Sequence, residues 1–204
     1  EESTAKGEVA LAILVAKSPR HPKLIPLLQN LGMLATNRGD DKRGLQYMQR
    51  ALAAARERFG SNSASVAHLE VNIATSLLNL DDNDGALALL VHAEQVMANV
   101  AGGAASPFLA ASRSMLAEIY VGRDQLEAAY KLLVPLVASQ QKPEADPAQR
   151  GRDEFLLAQV AWSRGEHDEA VRNAKLAVQD LSEAKAFPAT LKQARAWLAD
   201  PKQR

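Results

Sequence analysis

The sequence predicts an all-α fold, a stack of helix hairpins repeated along the chain. Three observations carry this. Apolar types make up 47% of the 204 residues, aromatics only 4%, and alanine is very common. Alanine is the best helix former, and the β-branched and aromatic runs that mark strands are scarce. Apolar residues recur at spacings of three and four, interrupted by short turns. The same landmarks also return at a near-constant interval. Asn30-Leu31-Gly32 is followed 42 residues on by Asn72-Ile73-Ala74, another 43 on by Met115-Leu116-Ala117, and another 41 on by Leu156-Leu157-Ala158. A hairpin of that size cannot bury its apolar face alone, so stacking must supply the core.

The elements follow in order. Residues 3–18 read as a partial N-terminal helix, the second half of an earlier, truncated hairpin, and the non-methionine first residue points to a piece of a longer chain. Repeat 1 (21–60) places Leu28, Leu31 and Ala35 on a helix over 24–37. It breaks at Gly39-Asp40-Asp41, then carries Leu45, Met48, Ala51 and Leu52 over 41–58. Repeat 2 (63–100) uses Ile73, Leu77 and Leu78 over 65–79, turns at Asp81-Asp82-Asn83-Asp84, and continues with Leu87, Leu90 and Ala93 over 83–99. Repeat 3 (106–141) has helices at 108–121 and 125–139. Pro135 is expected to kink the second of these, because proline cannot donate the helical bond. Repeat 4 (147–183) has helices at 149–164 and 167–182. A capping helix at 187–199 opens with Pro188 and carries Leu191, Ala194, Trp197 and Leu198; it should cover the last hairpin. The linker Ala101-Gly102-Gly103-Ala104 is the loosest stretch. Residues 1–204 are read as one domain.

Small residues hold matching places: Gly32, Ala74, Ala117 and Ala158 on the first helices, and Gly44, Ala86, Ala129 and Ala170 on the second. A bulky side chain there would push crossing helices apart. The run Leu28-x-x-Leu31-Gly32-x-x-Ala35, followed by Gly39, Gly44, Met48 and Ala51, resembles the tetratricopeptide repeat (TPR). The long period, His21-Pro22 ahead of Leu31, and Arg50-Ala51-Leu52 ahead of Phe59-Gly60 are similar to the kinesin light chain class of that repeat. The resemblance covers about residues 21 to 182. It implies an alpha-alpha superhelix of four hairpins plus terminal capping helices. Gly44 departs from the alanine usual at its position.

The resemblance also implies that the first helix of each hairpin lines a concave face that holds peptides. The side chains spaced onto that face are Asn30, Met33 and Asn37 in repeat 1 and His68, Asn72, Thr75 and Asn79 in repeat 2. Glu118 follows in repeat 3 and Gln159 in repeat 4. Asparagine offers a donor and an acceptor, so it can pair with the N–H and C=O of an extended peptide whatever its side chains. Asn30 and Asn72 match a position where kinesin light chain repeats commonly carry asparagine facing peptide, and they lead the set. The alternative is a solvated polar helix face. Phe155 and Trp162, seven apart, form either an apolar pocket or core against the capping helix. The lysine–arginine clamp that some tetratricopeptide proteins use for C-terminal carboxylates is missing, since Gln29, Met33, Val71 and Thr75 stand at the matching places.

Other chemistry finds no support. The charges balance at 24 basic and 24 acidic, so there is no basic footprint for nucleic acid. No apolar run approaches the ~18 residues of a membrane span. The apolar stretch Val9 to Ala16 follows glutamates, unlike a signal peptide. There is no cysteine, and the four histidines lack metal-ligand spacing. Asp81-Asp82-Asn83-Asp84-Gly85 glances at a calcium loop, but its glycine is one place early and His92 stands where glutamate should. Gly102-Gly103 lacks the frame of a phosphate loop, and no G-x-S-x-G elbow is present. No cofactor, metal or enzymatic activity is expected. The expected function is protein–protein interaction: a module binding an extended peptide in its groove, as a regulatory or scaffolding part of a larger bacterial protein. The alternative is a structural domain that self-associates or packs on its parent. The compartment is read as cytoplasmic, or as the extracytoplasmic part of a membrane-anchored parent.

Overall fold

The computed structural model describes residues 2–18, 20–100, 106–142 and 145–200. The linker Ala101 to Ala104 lies outside them. Ten helices and no strand occur among the described residues: α1 (Glu2–Lys17), α2 (Leu24–Thr36), α3 (Asp41–Phe59), α4 (Ala64–Asn79), α5 (Asn83–Asn99), α6 (Pro107–Gly122), α7 (Leu126–Ser139), α8 (Pro147–Ser163), α9 (His167–Ala184) and α10 (Pro188–Ala199). The ends differ from those read in the sequence by at most two residues. None of these helices is long and apolar enough to cross a membrane.

Local chemistry explains the boundaries. Side chains of Asp40, Ser63, Asp82 and Asp146 cap α3, α4, α5 and α8 by accepting from the backbone N–H of Arg43, Val66, Gly85 and Ala148. Each supplies an acceptor to a first-turn N–H that has no helical partner. Every hairpin turns in the same way. Gly39, Asp81, Asp124 and Gly165 take positive φ angles of 81°, 61°, 59° and 85°, one period apart. In each case the residue after it donates back five places: Asp40 to Ala35, Asp82 to Leu77, Gln125 to Tyr120 and Glu166 to Ala161, at 2.8–3.0 Å. This is the Schellman closure of a helix, and glycine or aspartate tolerates the left-handed residue it needs. The acidic run at Asp81 is therefore a hairpin turn. The helix α7 runs unbroken through Pro135, which lies on its exposed side.

The chain divides into two compact units, residues 1–112 and 113–204, with the division inside α6. In the first, α1 packs on α2, α2 on α3, α3 on α4 and α4 on α5. The α2–α3 crossing is set by two glycines: a β-carbon on Gly32 would meet Met48 Cγ at 2.6 Å, and one on Gly44 would strike Thr36 Oγ1. Glu70 is fully buried between α3 and α5, bound by Arg56 at 2.9 Å and by His92 at 2.6 Å. In the second unit α8 pairs with α9, α7 packs on α8, and α10 lies on α9. Ala158, Ala161, Ala170, Ala174 and Ala177 let α8 and α9 approach, and Phe155 and Trp197 fill the space toward α10.

Polar side chains 37 to 40 residues apart fasten neighbouring hairpins within each unit. Tyr47 donates to Glu8 at 2.6 Å and Thr36 Oγ1 meets Ser76 Oγ at 3.2 Å. In the second unit Ser114 donates to Asp153 at 2.5 Å, Tyr130 to Glu169 at 2.9 Å, and Arg164 pairs with Glu127.

Candidate functional site

On α2, the buried stripe Leu24, Ile25, Leu28, Leu31 and Ala35 faces the hairpin core. That leaves Asn30, Met33 and Asn37 on the opposite side, all exposed, with Met33 at 48%. On α4 burial is wider, taking in Ala67, Glu70, Val71 and Ser76 as well as Val66, Leu69, Ile73 and Leu77. His68 and Asn72 stay half-buried, while Thr75 and Asn79 are exposed. The α2 and α4 stripes are drawn together by the Thr36–Ser76 contact.

The side chains of Asn30, Asn37 and Asn72 make no hydrogen bond among the described residues. Their amide groups are open. Thr75 is different: its hydroxyl donates to the Val71 carbonyl of its own helix at 3.2 Å. Asn79 is also engaged, donating to Asp41 at 3.0 Å. His68 stacks on Phe108 at the start of α6, ring centroids 4.1 Å apart and 22° from parallel. Burial lowers the His68 pKa below its ordinary value, so the ring is neutral at pH 7. Phe108 was not singled out from the sequence. Its signal is Pro107-Phe108 at the helix start, ten residues ahead of Glu118. Asn30, Met33, Asn37, His68, Asn72, Thr75, Asn79 and Phe108 are all uncharged at neutral pH.

The second unit presents different chemistry. Glu118 of α6 pairs with Arg152 of α8 at 2.7 Å, and the Arg152 guanidinium lies 4.8 Å from the Phe187 ring centre. Partial desolvation raises the Glu118 pKa, and Arg152 opposes that rise. Gln159 is exposed and its amide makes no hydrogen bond among the described residues. Phe155 is core, 4% exposed, edge-on to Trp197 at 6.3 Å; Trp162 packs against the same cluster, 5.6 Å from Trp197. Phe155 and Trp197 also floor a cleft of about 510 Å³ between α8 and α10, rimmed by Gln159, Lys192 and Gln193. Among the described residues no group of three or more His, Asp or Glu could hold a metal ion.

Comparison with known proteins agrees with this architecture. Residues 27–65 match the tetratricopeptide repeat family. No curated protein matches the chain in sequence. Among solved structures, BtubC (BKLC) from P. vanneervenii superposes with a TM-score of 0.74 at 18% identity, covering 91% of this chain and 76% of that one. Kinesin light chain-type, nearly identical TPR-like repeats from Podosopora anserina give 0.68 at 20% identity, covering 91% and 89%. NprR in complex with its cognate peptide NprX gives 0.62 at 16% identity, covering 95% and 56%.

Proposed function

We propose that this tetratricopeptide repeat protein, a solenoid of the kinesin light chain-like class, holds an extended, uncharged peptide segment along the first-helix face of residues 1–112. The fold is one of protein–protein interaction. The observation that supports peptide capture is Asn72: half-buried, its amide unengaged, with the exposed Asn30 amide one period earlier likewise unengaged. Two amides at one repeat spacing can each bracket a peptide unit of a passing strand. His68 and Phe108 supply a flat apolar platform beside them for a side chain of the guest. NprR, which this chain matches over 56% of its length, was solved in complex with its cognate peptide NprX. Neutral surroundings favour guests without charge, and the balanced composition gives no footprint for nucleic acid. We place the protein in the cytoplasm, with an extracytoplasmic part of an anchored parent as the alternative, and read it as a regulatory or scaffolding part of a larger bacterial protein.

The test is a peptide array probed with the 204-residue chain, followed by calorimetry on the best binder. Asn30→Ala and Asn72→Ala together should weaken binding about tenfold to a hundredfold, at about 1 kcal/mol for each lost hydrogen bond. Helicity by circular dichroism should be unchanged. Undiminished binding by the double variant rejects this face as the site.

A second reading, self-association, is favoured by one observation. Val9 and Ile13, four residues apart on α1, are 60% and 51% exposed. Ile13→Glu should convert any dimer seen by light scattering to monomer; a dimer that survives it uses another surface.

A further inference from the structure

We propose that Glu154 makes the α8–α9 hairpin a pH-responsive joint, firm while its carboxyl holds a proton and loosened once the proton leaves. Glu154 is 1% exposed. One carboxyl oxygen, Oε1, accepts from Gln141 Nε2 at 3.1 Å. The other, Oε2, is buried with no donor beside it, as is Gln140 Oε1 nearby. What Glu154 faces on α9 is a second acceptor, the Asp180 carboxylate. Asp180 is itself 7% exposed, and both its oxygens are occupied by the Arg150 guanidinium, which also donates to the Gln140 carbonyl. A proton on Glu154 cures the mismatch, because a carboxylic acid donates where a carboxylate only accepts. Without that proton, two carboxylates confront each other out of reach of water.

The same repeat position shows what is missing. Two periods earlier stands Glu70, equally buried but held by Arg56 and His92. At the corresponding places around Glu154 the chain carries Gln141 in place of arginine and Leu176 in place of histidine. An amide bonds one oxygen and brings no charge. The ionisable groups acting on Glu154 are Asp180 from α9 and Arg150 from its own helix, with Glu183 acting on Arg150 and Asp153 next in sequence; the α7 end contributes the uncharged Gln140 and Gln141. Asp153 has donors of its own in Ser114, Gln140 and Gln149. Burial first, then Asp180, raises the Glu154 pKa from 4.5 to about 7. Because the folded value is the higher one, the stability this group contributes is complete below pH 4.5. It is lost as pH climbs through 7.

Two measurements on the whole chain decide it. Carbon-13 NMR of the glutamate side-chain carboxyls should show one group, assigned to Glu154 by its absence in Glu154→Gln, titrating near neutrality. Hydrogen-exchange protection of α8 and α9 amides should fall about thirtyfold between pH 5.5 and 8.5, as the shift in pKa requires. In Glu154→Gln that fall should vanish while the other helices keep their wild-type profile. A Glu154 carboxyl that titrates below pH 5 overturns the proposal. So does a Glu154→Gln variant whose α8–α9 protection keeps the wild-type pH slope. If that variant fails to fold, Glu154→Asp gives the assignment and the wild-type titration decides.

Discussion

At Gly44 any side chain would collide with Thr36 Oγ1 and come within 3.1 Å of the Gly32 carbonyl. Alanine is usual at this position in the repeat family, and it fails here because Gly32 and Thr36 bring α2 closer than a methyl allows. Gly44→Ala should cost about 1–3 kcal/mol through overpacking, read by urea unfolding. Gly39 has nothing within 4 Å of where its β-carbon would be, yet its φ of +81° belongs to the left-handed region. Gly39→Ala should cost only about 1 kcal/mol, from backbone conformation alone. A Gly44→Ala variant as stable as wild type would contradict the overpacking. The sequence marked both glycines but could not separate them, since crowding depends on the neighbour's rotamer. The asparagines illustrate the same limit. Spacing put Asn30, Asn72 and Asn79 in one class, while the structure shows the Asn79 amide already spent on Asp41.

Among the elements, α10 gives the clearest case of an end sealed by one residue. Trp197 is 4% exposed and meets Phe155 and Trp162 edge-on. Its removal should cost about 3–5 kcal/mol, the usual loss for a buried tryptophan. Trp197→Ala should therefore free α10 and open the α9–α10 connection to trypsin at the exposed Lys185, which is seen as faster cleavage on a gel. If cleavage is unchanged, α10 is held by something other than this cluster. Helices like this one were legible because their boundaries are local: a proline at the first turn, a capping side chain, a left-handed closing residue. Pro135 marks where such local rules stop: proline cannot donate the helical bond, yet α7 continues from Leu126 to Ser139 with the ring on its exposed side.

For the whole molecule, a formal net charge of zero and an uncharged face on residues 1–112 set the salt response. The affinity of a peptide held there should change by less than about twofold between 50 and 500 mM NaCl, because the side chains proposed to hold it are uncharged and the Asp41 carboxylate beside them is tied to Asn79. A steep loss of affinity over that range would place the guest on a charged surface elsewhere. The hairpin period was plain in the sequence because burial repeats with it. The polar contacts between hairpins were not, because they follow no common pattern: tyrosine with glutamate, threonine with serine, serine with aspartate, arginine with glutamate.

Those unlike fastenings mean that the hairpins are not interchangeable parts. Were 63–100 and 147–183 to trade places, Thr36 would lose the hydroxyl of Ser76 and Ser114 the carboxylate of Asp153. Each of these two joints is thus keyed to its own neighbour, as a tumbler is cut to a single lock.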